Sequence, residues 1–165
     1  MKRILILMMV LLLPFLARGQ HASDRFFDRY SKAEGFASVQ LERKMMRMMS
    51  RQAAEKGDEK LAKLLDGIQY IRIVALDGGD AEDAERFLSE AEALAGSEEH
   101  GFQLVMSTSE EGQTTRFYLR EAAFPLNSEL LMLTWGAKET VAVNIYGMFD
   151  LKQVARLSTI RPRQQ

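Results

Sequence analysis

The sequence predicts an α+β fold. The expected form is a two-layer sandwich: a mostly antiparallel sheet of about six strands with helices packed on one face. Two observations predict it. Helical and two-residue periods alternate through the first half of the chain. From Phe102 onward the two-residue period persists through four segments separated by turn residues. A third observation bounds it. A chain of 165 residues with no Cys and 47% hydrophobic content suits one domain whose core holds without disulfides.

The elements follow in order. Ser23 or Asp24 caps a short helix bearing Phe26, Phe27 and Tyr30. Gly35 turns the chain into a strand from Phe36 to Leu41. Leu41, Met45, Met48 and Met49 then recur at helical spacing, with Arg43, Lys44, Arg47 and Arg51 mostly on other faces. Gly57 interrupts, and Asp58 caps a helix whose buried stripe is Leu61, Leu64 and Leu65. Ile68 to Leu76, rich in β-branched residues, is the strongest strand signal. After the Asp77-Gly78-Gly79 turn, Asp80 and Asp83 form a variant capping box. The helix behind it carries Ala84, Phe87, Leu88, Ala91, Leu94 and Ala95 and ends at Gly96.

Four strands then run as a meander. Phe102, Leu104 and Met106 alternate in the first, and Glu110-Glu111-Gly112 makes a hairpin turn. Thr115, Phe117 and Leu119 alternate in the second, and Pro125 breaks the ladder. Leu131, Leu133 and Trp135 mark the third; Val141, Val143 and Ile145 mark the fourth, which Gly147 closes. Asp150 caps a final helix with Leu151, Val154, Ala155 and Leu157 on its apolar face. One domain spans residues 24–158, between a leading tail (20–23) and a C-terminal tail (159–165).

The first 19 residues have a different character. Lys2 and Arg3 precede an unbroken apolar run from Ile4 to Leu13, and Ala17-Arg18-Gly19 places small residues where a signal peptidase reads. This is the pattern of a cleavable secretory signal, too short to span a bilayer. Its removal leaves 146 residues. Lys and Arg fall to 19 (22 less Lys2, Arg3 and Arg18) against 23 Asp and Glu, a net charge of −4. Such a chain has no electrostatic footprint for nucleic acid. With no Cys after the signal there is no lipid-anchor site, so a periplasmic or secreted, unanchored protein is expected.

Motifs that carry chemistry are scarce. The cluster Met45, Met46, Met48 and Met49 reads as a helix burying Met45, Met48 and Met49 against the sheet, Met being an adaptable core filler. Its thioethers also suit Cu(I), which makes a copper or small-ligand carrier an alternative, though the interleaved Lys and Arg oppose a cation. A third reading is a pliable partner-binding face. The acids Asp77, Asp80, Glu82, Asp83 and Glu85 do not form a calcium loop, because Gly79 and Ala81 occupy ligand positions. They read as helix capping and dipole complement. His21 and His100 lie in no motif, and no nucleophile elbow, zinc-protease helix or phosphate loop occurs. The expectation is therefore a protein without catalysis or cofactor, with a small hydrolase or metal-dependent enzyme as the alternative. The candidate site is a sheet face left open by the helices. If Phe117 and Leu119 point inward, then Arg116, Tyr118 and Arg120 point outward, joined by Met132, Asn144 and Tyr146. That face is expected to bind a protein partner or to stack on a second copy as a homodimer, Tyr and Arg being enriched at interface hot spots.

Two segments resemble a known family. Phe27-Asp28-Arg29-Tyr30-Ser31 followed by Glu34-Gly35-Phe36-Ala37-Ser38-Val39, with the Met-bearing helix behind it, resembles the opening of the family numbered as domain of unknown function 4252. Ile145-Tyr146-Gly147-Met148-Phe149-Asp150-Leu151 resembles its close. The resemblance implies an exported protein of Bacteroidota-type bacteria without an assigned activity. Through gene neighbourhoods with extracytoplasmic-function sigma factors, it also implies a link to envelope-stress signalling. It carries no functional residue over to this chain.

If the leader is cleaved as read, the protein recovered from a periplasmic fraction begins at Gln20. Intact-mass measurement checks this; a full-length mass would refute it.

Overall fold

The computed structural model describes residues 23–121 and 127–149. The leader, residues 20–22 of the leading tail, the break at Pro125, the final helix from Asp150 and the C-terminal tail lie outside the described residues. The rest forms four helices and six strands: α1 (Asp24–Tyr30), β1 (Phe36–Leu41), α2 (Arg43–Glu55), α3 (Glu59–Gly67), β2 (Ile68–Leu76), α4 (Ala81–Gly96), β3 (Gln103–Glu110), β4 (Gln113–Glu121), β5 (Ser128–Gly136) and β6 (Val141–Gly147). The fold is α+β, with one six-stranded sheet ordered β1-β2-β6-β5-β4-β3. Every neighbouring pair in it is antiparallel.

The predicted caps and turns set the helix boundaries. The Asp58 carboxylate accepts from the Leu61 N–H at 3.0 Å, and the Asp80 carboxylate from the Asp83 N–H at 3.0 Å. Each satisfies one of the donors that a helix start leaves orphaned. Ser23 holds the cap position of α1, yet its hydroxyl makes no cap bond and turns elsewhere. Gly57, at φ +80°, ends α2 in the left-handed region that glycine enters without penalty. Gly147, at φ +152°, has a different task. A Cβ there would strike the Gly67 carbonyl and the backbone of Ile68, so glycine lets the end of β6 close on the α3–β2 junction.

Among the described residues, helices cover both faces of the sheet, two on each, where the sequence pattern predicts one covered face. Adjacent strand residues divide between two cores, since side chains alternate across a sheet. Tyr118, Leu131 and Leu133 join the aromatic residues of α1 and Phe87, Ala91 and Leu94 of α4. Phe117 and Leu130 join Met46 and Ala53 of α2 and Ala62, Leu64 and Leu65 of α3. The physical reason lies in β5. Leu130, Leu131, Met132 and Leu133 run consecutively and Leu130, Leu131 and Leu133 are buried, so both faces of that strand demand cover. Connectivity supplies it. The α2–α3 hairpin returns β1 to β2 on one face, and α4 crosses the other to reach β3 at the far edge.

The α1–α4 core is chiefly aromatic. Phe87 meets Phe26 at 5.2 Å, Tyr30 edge-on at 4.7 Å and Phe36 at 5.2 Å between ring centroids. Offset and edge-on pairs of this kind add about 0.5–1.5 kcal/mol each beyond the area they bury. The two edge strands are thinly covered. β3 is exposed along its whole length, and a register shift between Leu104 and Met106 interrupts its ladder with β4.

Burial, reinforced by the neighbouring Glu90 carboxylate, pushes the Tyr30 phenol up to about 12. Burial, with the Glu129 charge next, raises Tyr70 as well. The folded state thus holds these protons more tightly than the unfolded chain does. The stability they contribute is complete below the ordinary phenol value and drains as pH rises from about 10 toward 12. The expected loss from Tyr30 is about 2–3 kcal/mol at the upper end. Urea unfolding across this window checks it: the decline is shallower in Tyr30→Phe, and an equal decline would refute the assignment.

Candidate functional site

Five of the six residues expected on an open face do share one. Pairing aligns Tyr118 with Leu131 and Asn144, and Arg120 with Glu129 and Tyr146; Arg116 lies two residues before Tyr118 on the same side. Met132 does not belong with them. It pairs with Phe117 and packs in the core beneath α2 and α3. The face itself is not open, because α1 and α4 cover it. Tyr118 is 8% exposed and Asn144 is fully buried. Arg116 reaches Glu92 of α4 at 2.8 Å and lies 5.0 Å over the Trp135 ring. Tyr146 stacks on Tyr70 at 5.4 Å and its hydroxyl accepts from Asn127 at 3.1 Å. These residues hold the molecule's own layers together, so this is not the open face on which a second copy was expected to stack.

The same face contains a feature that sequence reasoning missed. Glu129 is completely buried. One carboxylate oxygen accepts from the Ser23 hydroxyl and from Asn144 Nδ2 at 3.0 Å; the other accepts from Arg120 Nε at 3.1 Å and from Arg120 Nη2. Beside it, Arg72 lies 4.7 Å over the Tyr70 ring and pairs with Asp24 of α1 at 2.9 Å. A buried carboxylate needs this degree of pairing, since desolvating a charge costs several kcal/mol. No sequence signal marks it: a Glu opening a strand looks like any solvated residue.

The open surface lies on the opposite face, at the β1 edge. Arg43 donates to the carbonyls of Asp66 and Ile68, and the Ser50 hydroxyl donates to the Ala62 carbonyl at 2.8 Å. These bonds clamp α2 to α3 and set its rotation. Met46, Met49 and Ala53 turn to the sheet, while Met45 and Met48 are 41% and 48% exposed. The expectation that Met45, Met48 and Met49 form the buried stripe is thus corrected: Met46 replaces Met45 and Met48. The exposed pair lines a groove of about 600 Å³ together with Leu41, Gln40, Glu42, Lys44 and Arg51. Val39, 51% exposed, continues the apolar surface along β1. Lys44, Arg47 and Arg51 make no ion pair among the described residues. Those charges oppose a copper ion at the two exposed thioethers and favour an anionic or amphipathic ligand.

Elsewhere, among the described residues, no three of His, Asp and Glu converge to hold a metal ion. His100 lies half-buried in the turn after α4, its backbone N–H donating to the Ser97 carbonyl at 3.1 Å. No helix of the described residues is long and apolar enough to cross a membrane.

Arg120→Met strands the Glu129 carboxylate and is expected to destabilise the fold by about 3–5 kcal/mol. Arg120→Met with Glu129→Leu recovers most of that loss, since it removes both charges. Denaturant unfolding of the single and double variants checks it; a double variant as unstable as the single one would contradict the reading.

No curated protein and no solved structure matches this chain. The family model described as Domain of unknown function (DUF4252) matches residues 30–157, most of the chain, including β1, the Met-bearing helix and the Gly147 closure. The chain belongs to that family of domains of unknown function.

Proposed function

We propose that this protein is an exported envelope module that works by binding a protein partner, without catalysis, through the groove between β1 and α2. The observation that carries the reading is the exposed pair Met45 and Met48 beside that groove. Thioether side chains repack around varied surfaces and are over-used at binding faces. An apolar concavity ringed by a few charges is the usual form of a recognition site. The leader-like segment supports export, and the family resemblance supports a place in envelope-stress or sigma-factor signalling.

In vivo photo-crosslinking tests it. A photoreactive residue at position 48 is expected to yield a discrete crosslinked species in the envelope fraction. The same residue at position 85, where Glu85 is exposed on α4 at the other face of the sheet, yields none. The species is lost when Leu41→Asp spoils the groove in a chain that still folds. Equal crosslinking from both positions, or none from either, would overturn the proposal.

A further inference from the structure

We infer that the groove takes an extended acidic segment of the partner, which adds to the free edge of β1. The inference rests on the groove being a partner site and specifies the chemistry of what it binds. Among the described residues β1 pairs only with β2, and no other described strand lies along its outer row of backbone donors and acceptors. Ala37, Ser38, Val39 and Gln40 are all exposed along that edge. An extended segment laid there gains main-chain hydrogen bonds, and its alternate side chains fall to one face. On the groove face those side chains meet Val39, Leu41, Met45 and Met48.

Charge decides the class of occupant. Among the described residues Lys44, Arg47 and Arg51 of α2 make no ion pair, and the acid lining the groove, Glu42, is held by the Gln40 side-chain amide. An acidic segment is complementary to this surface. The chain's own residues 150–165 are not, because Lys152, Arg156, Arg161 and Arg163 outnumber Asp150. A second copy pairing through β1 would bring two cationic α2 helices to the same side of a joined sheet, with like charges facing. A bilayer is the weaker match as well. Membrane-seated surfaces present aromatic and leucine side chains outward, whereas the apolar residues here line a concavity without an aromatic ring.

The probe is a fluorescent peptide long enough to span β1 in which every second residue, falling on the groove face, is in turn Leu and Glu with Thr between them, set against a matched peptide with Lys in place of Glu. Anisotropy is expected to show binding of the first only, weakening as salt shortens the reach of charge. K44E/R51E is expected to weaken it by about tenfold or more. In the unmodified protein, the methyl resonances of Met45 and Met48 shift on addition of the peptide and that of buried Met46 does not. No binding, equal binding of both peptides, or unchanged affinity in K44E/R51E would overturn the inference. So would binding to phosphatidylcholine vesicles containing phosphatidylglycerol that K44E/R51E abolishes while the peptide fails to bind. The two proposals fail separately. Crosslinks at position 48 that survive K44E/R51E and are not competed by the Glu–Leu peptide retain the partner site and refute the acidic class.

Discussion

The burial of Glu129 is the constraint around which one half of the molecule is arranged. A carboxylate taken out of water must find its hydrogen bonds inside the protein, and this one finds them on three separate segments. Arg120 comes from β4, Asn144 from β6, and Ser23 from the lead-in to α1. The network therefore joins neighbouring strands and anchors the start of α1 to the middle of the sheet. With that end held, Phe26, Phe27 and Tyr30 fall against Phe87 of α4, and the two helices close over the face. Such a pair contributes little net stability compared with an apolar replacement. Its effect is to make one arrangement of α1 far cheaper than any other, because other arrangements strand a charge. Ser23 shows the competition locally: its hydroxyl leaves the helix start uncapped to reach the carboxylate.

The opposite face is organised by hydrophobic demand instead. Met46, Ala53, Leu64 and Leu65 meet Ile68, Phe117 and Leu130 there, and the Arg43 and Ser50 bonds fix the rotation of α2 over them. That rotation has a functional consequence. A helix with four methionines in five positions cannot bury them all against one sheet, since successive residues are about 100° apart. Burying Met46 and Met49 turns Met45 and Met48 outward, beside the edge strand and among the cations of α2. The proposed site is thus a direct result of how the core beneath it is filled.

Much of the architecture was legible in the amino-acid order. Helical and two-residue periods located the described elements, Asp58 and Asp80 marked two helix starts, and Gly147 marked a closure that only glycine permits. The four-strand meander followed from turn residues between alternating segments. These features are local, so a window of a few residues contains the cause. The layering was not read correctly: the run Leu130-Leu131-Met132-Leu133 has no polar alternation, the mark of a strand covered on both sides, and the expectation of one covered face passed over it.

The sequence by itself determined the family, the α+β class, the order of elements and the presence of an unusually methionine-rich helix. Only the tertiary structure decided that Tyr118 and Asn144 are interior, that Met132 faces away from them, and that Met45 and Met48 are the exposed thioethers. It alone located the charge held by Arg120. The physical reason is the same in each case. Which side of a strand or helix is buried depends on what packs against it, and those partners come from distant parts of the chain. Ser23 and Glu129 are separated by 106 positions, and no local pattern encodes a contact over that distance.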